Sequence, residues 1–227
     1  SFFLNYNSNI IYDFDDNSIK KIENIFQLIK PDFVINCVAI TSVDSSGKNF
    51  GESLNINSLL PHQLVGLSNK YKFKLIHFST DSVYHNSLIS KSENSDLYPT
   101  DLYTVSKILG EVTNSNVVTI RTSIIGHPLK INKKGMLSWF LNEKKRVYGY
   151  TNFYWSGLTT LEIYNIIKNY IIIDKFKGGI FNISSDSISK FELLKLISIT
   201  YKKKILIEKK TDSEINRVLD SNLFKNA

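Results

Sequence analysis

The chain is poor in the residues that mark several protein classes. Cys37 is the sole cysteine in 227 residues, which excludes an internal disulfide framework and points to a reducing compartment. No apolar run reaches the roughly 18 residues of a membrane span, and the opening "SFFLNYNSNI" lacks the basic segment and small-residue cleavage site of a secretory signal. A cytoplasmic protein without a membrane partner is expected. Arginine is scarce: the net charge of +7 rests on lysine, with only Arg121, Arg146 and Arg217 present. The lysines are scattered apart from "YKKKILIEKK", without a basic stripe interleaved with aromatics, so nucleic acid is not the expected partner. A modest positive field suits a phosphate-bearing small molecule instead. His62, His77, His85 and His127 have no metal-ligand spacing, and no metal is expected. Glycine is absent before Gly47.

What is present reads as a layered α/β domain with 42% hydrophobic residues, enough for a real core. In "SIKKIENIFQLI", Ile19, Ile22, Ile25, Phe26 and Ile29 share one helical face, with Ser18 as N-cap and Pro31 as the stop. The strand "DFVINCVA" follows, then a helix over about 50–70, the strand "FKLIHFS", a helix opened by Tyr103, and the strand "VVTIRTS". Apolar strands alternating with helices predict a doubly wound parallel sheet covered on both faces. Ligands of such sheets lie outside the carboxyl ends of the strands, so "NCVAIT", "STDS" and "TSIIGHP" are expected on one rim together with Tyr103.

Two Tyr-x-x-x-Lys pairs occur, Tyr103 with Lys107 and Tyr164 with Lys168, where composition alone gives about one. Both are neighbours on a helix face, so spacing does not separate them. Context does. Tyr164 lies in the apolar-faced "TTLEIYNIIKNYIII", with no polar strand end just upstream, and reads as packing.

The order and spacing of "KPDFVINCVAITSVDSS", "LNINSLLPHQL", "IHFSTDSVY", "YPTDLYTVSKILGEV", "IRTSIIG", "GLTTLE" and "NRVLDSNLF" resemble the extended short-chain dehydrogenase/reductases, and within them the dTDP-4-dehydrorhamnose reductase group. The resemblance implies a Rossmann-like fold with a small C-terminal substrate lobe. Residues 1–124 would form the dinucleotide domain, and residues 125–227 the remaining elements interleaved with that lobe. It implies reduction of the C4 keto group of a nucleotide-linked deoxysugar by NADPH or NADH, in the making of surface polysaccharide precursors. Thr80, Tyr103 and Lys107 would be the catalytic triad, with Lys107 also holding the nicotinamide ribose. Thr80 and Asp81 would contact the sugar, although Asp81 is equally a cap of the following turn.

For the cofactor, the resemblance implies Ala39, Ile40 and Thr41 along the dinucleotide, Phe78 as a further contact, and Asp13 and Phe14 at the adenine end. Alternatively, Asp13 and Asp15 merely lead into the helix at 18. Asn36 and Cys37 are expected to pack beneath. Trp155 stands where the family's substrate loop should be, for stacking or for core packing, and Arg217 suits a diphosphate or is a surface arginine. Asp44 reads as a turn cap.

Two departures bear on the reaction. The related 4,6-dehydratases carry Glu where this chain has Ser82, which argues against dehydration, and Ile124 replaces a substrate-stacking Trp. A nucleotide-sugar epimerase using the same triad is the rival enzyme, and a regulatory subunit of methionine adenosyltransferase type is the rival outside catalysis. A homodimer is left open. The family's glycine-rich phosphate turn would fall before Ser1, so the first βα unit is apparently lacking and a trimmed chain is expected.

Overall fold

The computed structural model describes residues 18–41, 50–86, 89–127, 135–172, 178–212 and 214–226. The chain divides into two compact units, each assembled from separated stretches. The first comprises Ser1–Ser79, Tyr98–Ile120 and Phe176–Ile180, the second Thr80–Leu97, Arg121–Lys175 and Phe181–Ala227.

In the first unit, helix α1 (Ser18–Ile29) opens the described chain, and its apolar stripe turns Ile19, Ile22 and Phe26 onto the core. Ile29 belongs to the same stripe by spacing but is 53% exposed, because the helix runs past what it packs on. Lys30, in the left-handed conformation at φ 49°, ends the helix by donating its N–H to the Phe26 carbonyl, and Pro31 forbids continuation. Strand β1 (Phe33–Asn36) pairs in parallel with β2 (Lys74–Phe78), which pairs in parallel with β3 (Val117–Arg121). The sheet order is β1-β2-β3-β8, with β8 at Gly179–Asn182. β3 is buried at every residue, as an inner strand requires, whereas β1 at the edge leaves Ile35 exposed.

The expected continuous helix over 50–70 is interrupted. A short α2 (Phe50–Ser53) passes into a π-helical segment, Leu54–Leu59, before α3 (Leu60–Tyr71) resumes with Pro61 in its first turn. The wider turn carries Asn57 into the interior, where it is fully buried. Leu60, Leu64, Leu67, Phe73, Leu75 and Val117 form the core that α1 covers, with Phe26 edge-on to Phe73 at 4.9 Å. Helix α4 (Leu102–Leu109) begins one residue before Tyr103, since Asp101 is its N-cap: the Asp101 carboxylate accepts from the Thr104 N–H at 2.7 Å while Thr104 Oγ1 accepts from the Asp101 N–H at 3.0 Å.

In the second unit, β4 (Ile124–Ile125) pairs with β7 (Leu158–Thr159), and β5 (Arg146–Tyr150) with β10 (Leu206–Lys210). β6 (Phe153–Trp155) lies between β11 (Ile215–Arg217) and β9 (Ile188–Ser189). Helix α5 (Met136–Asn142) and helix α7 (Lys190–Thr200) enclose a second core of Leu137, Phe140, Val147, Leu193, Leu194 and Ile197. Helices α6 (Thr160–Ile166) and α8 (Asn222–Lys225) complete the elements used below. Among the described residues, no helix is long and apolar enough to cross a membrane.

Candidate active site

The first unit holds Tyr103, Lys107 and the strand ends. Tyr103 is half-buried in the first turn of α4. Lys107, one turn on, is 2% exposed, and its Nζ donates to the Phe78 carbonyl at 2.7 Å. Burial pulls its pKa down to about 8, with the Glu111 carboxylate opposing the change. The ammonium has three donors, so others remain for a ligand.

The second Tyr-x-x-x-Lys pair has the opposite surroundings. Tyr164 is 40% exposed rather than packed, and Lys168 lies over its ring at 5.9 Å on the surface. The same spacing therefore yields one solvated cation–π pair and one buried ammonium held to a strand-end carbonyl.

Ala39 and Thr41 are exposed beyond the end of β1, and Ile40 is half-buried. Asn57 pins that stretch: its Oδ1 accepts from the Ile40 N–H at 2.9 Å and its Nδ2 donates to the Ile40 carbonyl at 2.8 Å. Asn57 Nδ2 also reaches Ser106 Oγ at 2.9 Å, and Ser106 Oγ donates to the Tyr103 carbonyl at 2.7 Å. One buried amide thus fixes both the exposed loop and the turn that carries the phenol. Gly110 closes the arrangement, since a Cβ there would lie 1.8 Å from the Asn57 carbonyl oxygen. Sequence reasoning missed Asn57; among Asn55, Asn57 and Ser58 of "LNINSLL" no local signal singles it out.

Asn36 is buried as expected, but Cys37 is exposed, because the chain leaves the strand at Asn36. Asn36 Nδ2 donates to His77 Nδ1 at 3.1 Å, its Oδ1 being occupied by the Val38 N–H. His77 is accordingly read as the Nε2–H tautomer, and among the described residues that buried nitrogen has no partner. Burial, then the charge of Lys107, pulls the His77 pKa down to about 3, so the ring is neutral at physiological pH. Asp13, Phe14 and Asp44 lie outside the described residues.

The second unit begins with Thr80 and Asp81, both 8% exposed. Thr80 caps a single 3₁₀ turn, Asp81–Val83, its Oγ1 accepting from the Ser82 N–H at 3.2 Å and donating to Asp81 Oδ1 at a long 3.3 Å. Burial raises the Asp81 pKa, opposed by the charges of Arg217 and Lys190 and by the Thr80 and Ser82 hydroxyls. Arg217 is half-buried in β11, in register with Trp155 of β6. Trp155 serves the core, 7% exposed, with Nε1 clamped to Ser123 Oγ at 2.8 Å. Its ring also forms a wall of a cleft of about 410 Å³ lined by Ser123, Ile125, Gly126, Met136 and Lys190 among others. Ile124 is 45% exposed. Lys190 was not foreseen from the sequence. Among the described residues, no cluster of His, Cys, Asp and Glu could hold a metal.

Residues 6–146 match the family described as the RmlD substrate binding domain. A dTDP-D-glucose 4,6-dehydratase of Dictyostelium discoideum is 32% identical over 208 residues, 78% of this chain and 46% of that protein. A dTDP-4-dehydrorhamnose reductase of Burkholderia thailandensis is 26% identical over 117 residues, 48% of this chain and 39% of that one. The chain thus spans less than half the length of these curated relatives. A crystal structure titled dTDP-4-dehydrorhamnose reductase from Bacillus anthracis in complex with NADP superimposes with a TM-score of 0.77 at 21% identity, over 92% of this chain and 77% of that one.

Proposed function

Because the chain belongs to the RmlD substrate binding domain family, we propose that it acts in NADPH- or NADH-dependent reduction of the C4 keto group of a nucleotide-linked deoxysugar. The supporting observation is the buried Lys107 one turn after Tyr103, set against the exposed Lys168 of the other pair. Residues 1–124 carry the dinucleotide side of the work, and residues 125–227 supply the remaining elements of that fold interleaved with the substrate lobe.

Reducing a ketone adds a hydride to carbon and a proton to oxygen. The bound nicotinamide supplies the hydride. Tyr103 delivers its phenolic proton to the carbonyl oxygen, a transfer that a phenol with a pKa near 10 resists at neutral pH. The Lys107 ammonium stabilises the phenolate left behind. With its pKa at about 8, Lys107 is still mostly protonated at pH 7, yet it is less strongly solvated than a surface lysine. Its remaining N–H donors suit ribose hydroxyls, and the exposed Ala39 and Thr41, with Ile40 pinned between them, suit the dinucleotide's flank. Thr80 is the hydroxyl donor of the triad that the family resemblance implies, and its long bond to Asp81 is one it can exchange for a better acceptor. Asp81 and Arg217 serve the sugar nucleotide, and Trp155 walls its cleft.

Ser82 argues against a dehydratase, because its hydroxyl lacks the carboxylate that water elimination needs at that place, despite the identity to the slime-mould dehydratase. The test is incubation with NADPH and a panel of 4-keto sugar nucleotides, with products identified by mass. A product heavier by two hydrogens, formed with loss of NADPH, supports the reading. An isomer of unchanged mass, formed without NADPH consumption, replaces it with an epimerase.

A further inference from the structure

Lys190 is the first residue of α7, where the positive end of the helix dipole favours an acid rather than a base. Its surroundings do not offset that choice. Among the described residues, Nζ has one hydrogen-bond partner, the weakly accepting Met136 Sδ at 3.0 Å, and no carboxylate at ion-pair distance. It lies over the Phe153 and Trp155 rings at 5.0 and 5.6 Å, and Asp81 attracts it through space. Burial lowers its pKa and the attraction of Asp81 offsets only part of that, so the charge is held at a cost that the chain's own groups do not fully compensate. The aliphatic stem could have been supplied by leucine or methionine at no such cost. Cations kept in this way, against local preference and facing a cleft, are expected where a ligand completes them.

The cleft fits one class of ligand. Its volume of about 410 Å³ is that of a small-molecule site, with Trp155 held rigid by Ser123 and a glycine, Gly126, in the lining. A flat aromatic wall beside an ammonium that has only a thioether as hydrogen-bond partner among the described residues combines apolar contact with anion recognition. We propose that Lys190 binds the diphosphate of the sugar nucleotide in this cleft, beside the Trp155 ring. This rests on the reading of the chain as a sugar-nucleotide protein and adds to it the residue that anchors the phosphates.

The test is calorimetric titration of the whole chain with dTDP, UDP, thymidine and inorganic pyrophosphate, without dinucleotide. Lys190→Met, which keeps the stem, is expected to weaken dTDP binding about tenfold or more, equivalent to about 1.4 kcal/mol, while Lys190→Arg stays near wild type. Thymidine binding should not change, and rising salt should weaken dTDP binding to wild type more than to the Met variant. If the Met variant fails to fold, as judged by circular dichroism, Lys190→Gln takes its place. Equal dTDP affinity in wild type and the neutral variant overturns the inference and leaves the reductase reading intact, as does equal loss of dTDP and thymidine, which would mark a packing role. Binding of pyrophosphate as tight as that of dTDP also overturns it, since the aromatic wall would contribute nothing. A wild type that binds neither dTDP nor UDP removes the sugar-nucleotide reading itself.

Discussion

Replacing Lys107 by methionine keeps the length of the side chain and removes its charge, which separates what the lysine does for stability from what it does for chemistry. The folded value of about 8 against 10.5 for a free lysine corresponds to roughly 3 kcal/mol paid by the native state below about pH 8. Between about pH 8 and 10.5 the unfolded chain binds the proton and the native one does not, so stability rises with pH through that window and levels off above it. The methionine variant has no such dependence at this position. At pH 7 its gain from losing the buried charge is offset by about 1 to 3 kcal/mol for the Phe78 carbonyl left without its donor, so the two proteins should be near parity. Denaturant unfolding of both from pH 7 to 10 is the assay. Wild type should gain on the variant by about 1.4 kcal/mol per pH unit above pH 8, while reductase activity in the variant is largely lost at every pH. A stability difference that does not move with pH would refute the buried, desolvated ammonium on which the reasoning rests.

Other substitutions probe the supports of the site. His77→Gln keeps an acceptor for Asn36 and removes a base whose native pKa of about 3 lies below the usual 6.5; wild type should lose about 1.4 kcal/mol per pH unit relative to the variant as pH falls below 6.5, read as an acid-unfolding midpoint that shifts lower in His77→Gln. Asn57→Ala strands the Ile40 amide and carbonyl together with Ser106, and should cost about 3 kcal/mol in denaturant unfolding and weaken dinucleotide binding in titration. Gly110→Ala forces a methyl group into the Asn57 carbonyl and should cost about 1 to 3 kcal/mol with the same loss of dinucleotide affinity, seen by thermal unfolding and titration.

Much of the first unit was legible because periodicity and strand composition report burial directly. The stripe Ile19, Ile22, Phe26 and the runs around Leu75 and Val117 packed as their spacing predicts. The π segment was not legible, since apolar periodicity over a dozen residues does not distinguish an α-turn from one widened to bury Asn57. The start of α4 moved from Tyr103 to Leu102 because the Asp101–Thr104 capping box outweighs the aromatic, and that pair was readable in "YPTDLYTVSK". Tyr103 and Lys107 could be proposed from motif order, but the burial of Lys107 and its bond to the Phe78 carbonyl, 29 positions away, are long-range contacts that leave no local trace. The setting of the Lys190 ammonium, with a thioether as its hydrogen-bond partner, is likewise a tertiary fact. The thioether and aromatic rings around it come from distant parts of the chain and left no local trace. Tyr164 was expected to pack and instead is 40% exposed, because the buried side chains there are Ile163 of α6 and Ile167 just after it.

The most direct measurement of the central claim is NADPH-dependent turnover of a 4-keto sugar nucleotide by wild type and by Tyr103→Phe, with binding of the substrate and the dinucleotide measured separately. Loss of the phenolic proton should lower kcat by about a hundredfold or more with both affinities little changed. Undiminished kcat in Tyr103→Phe would contradict the account.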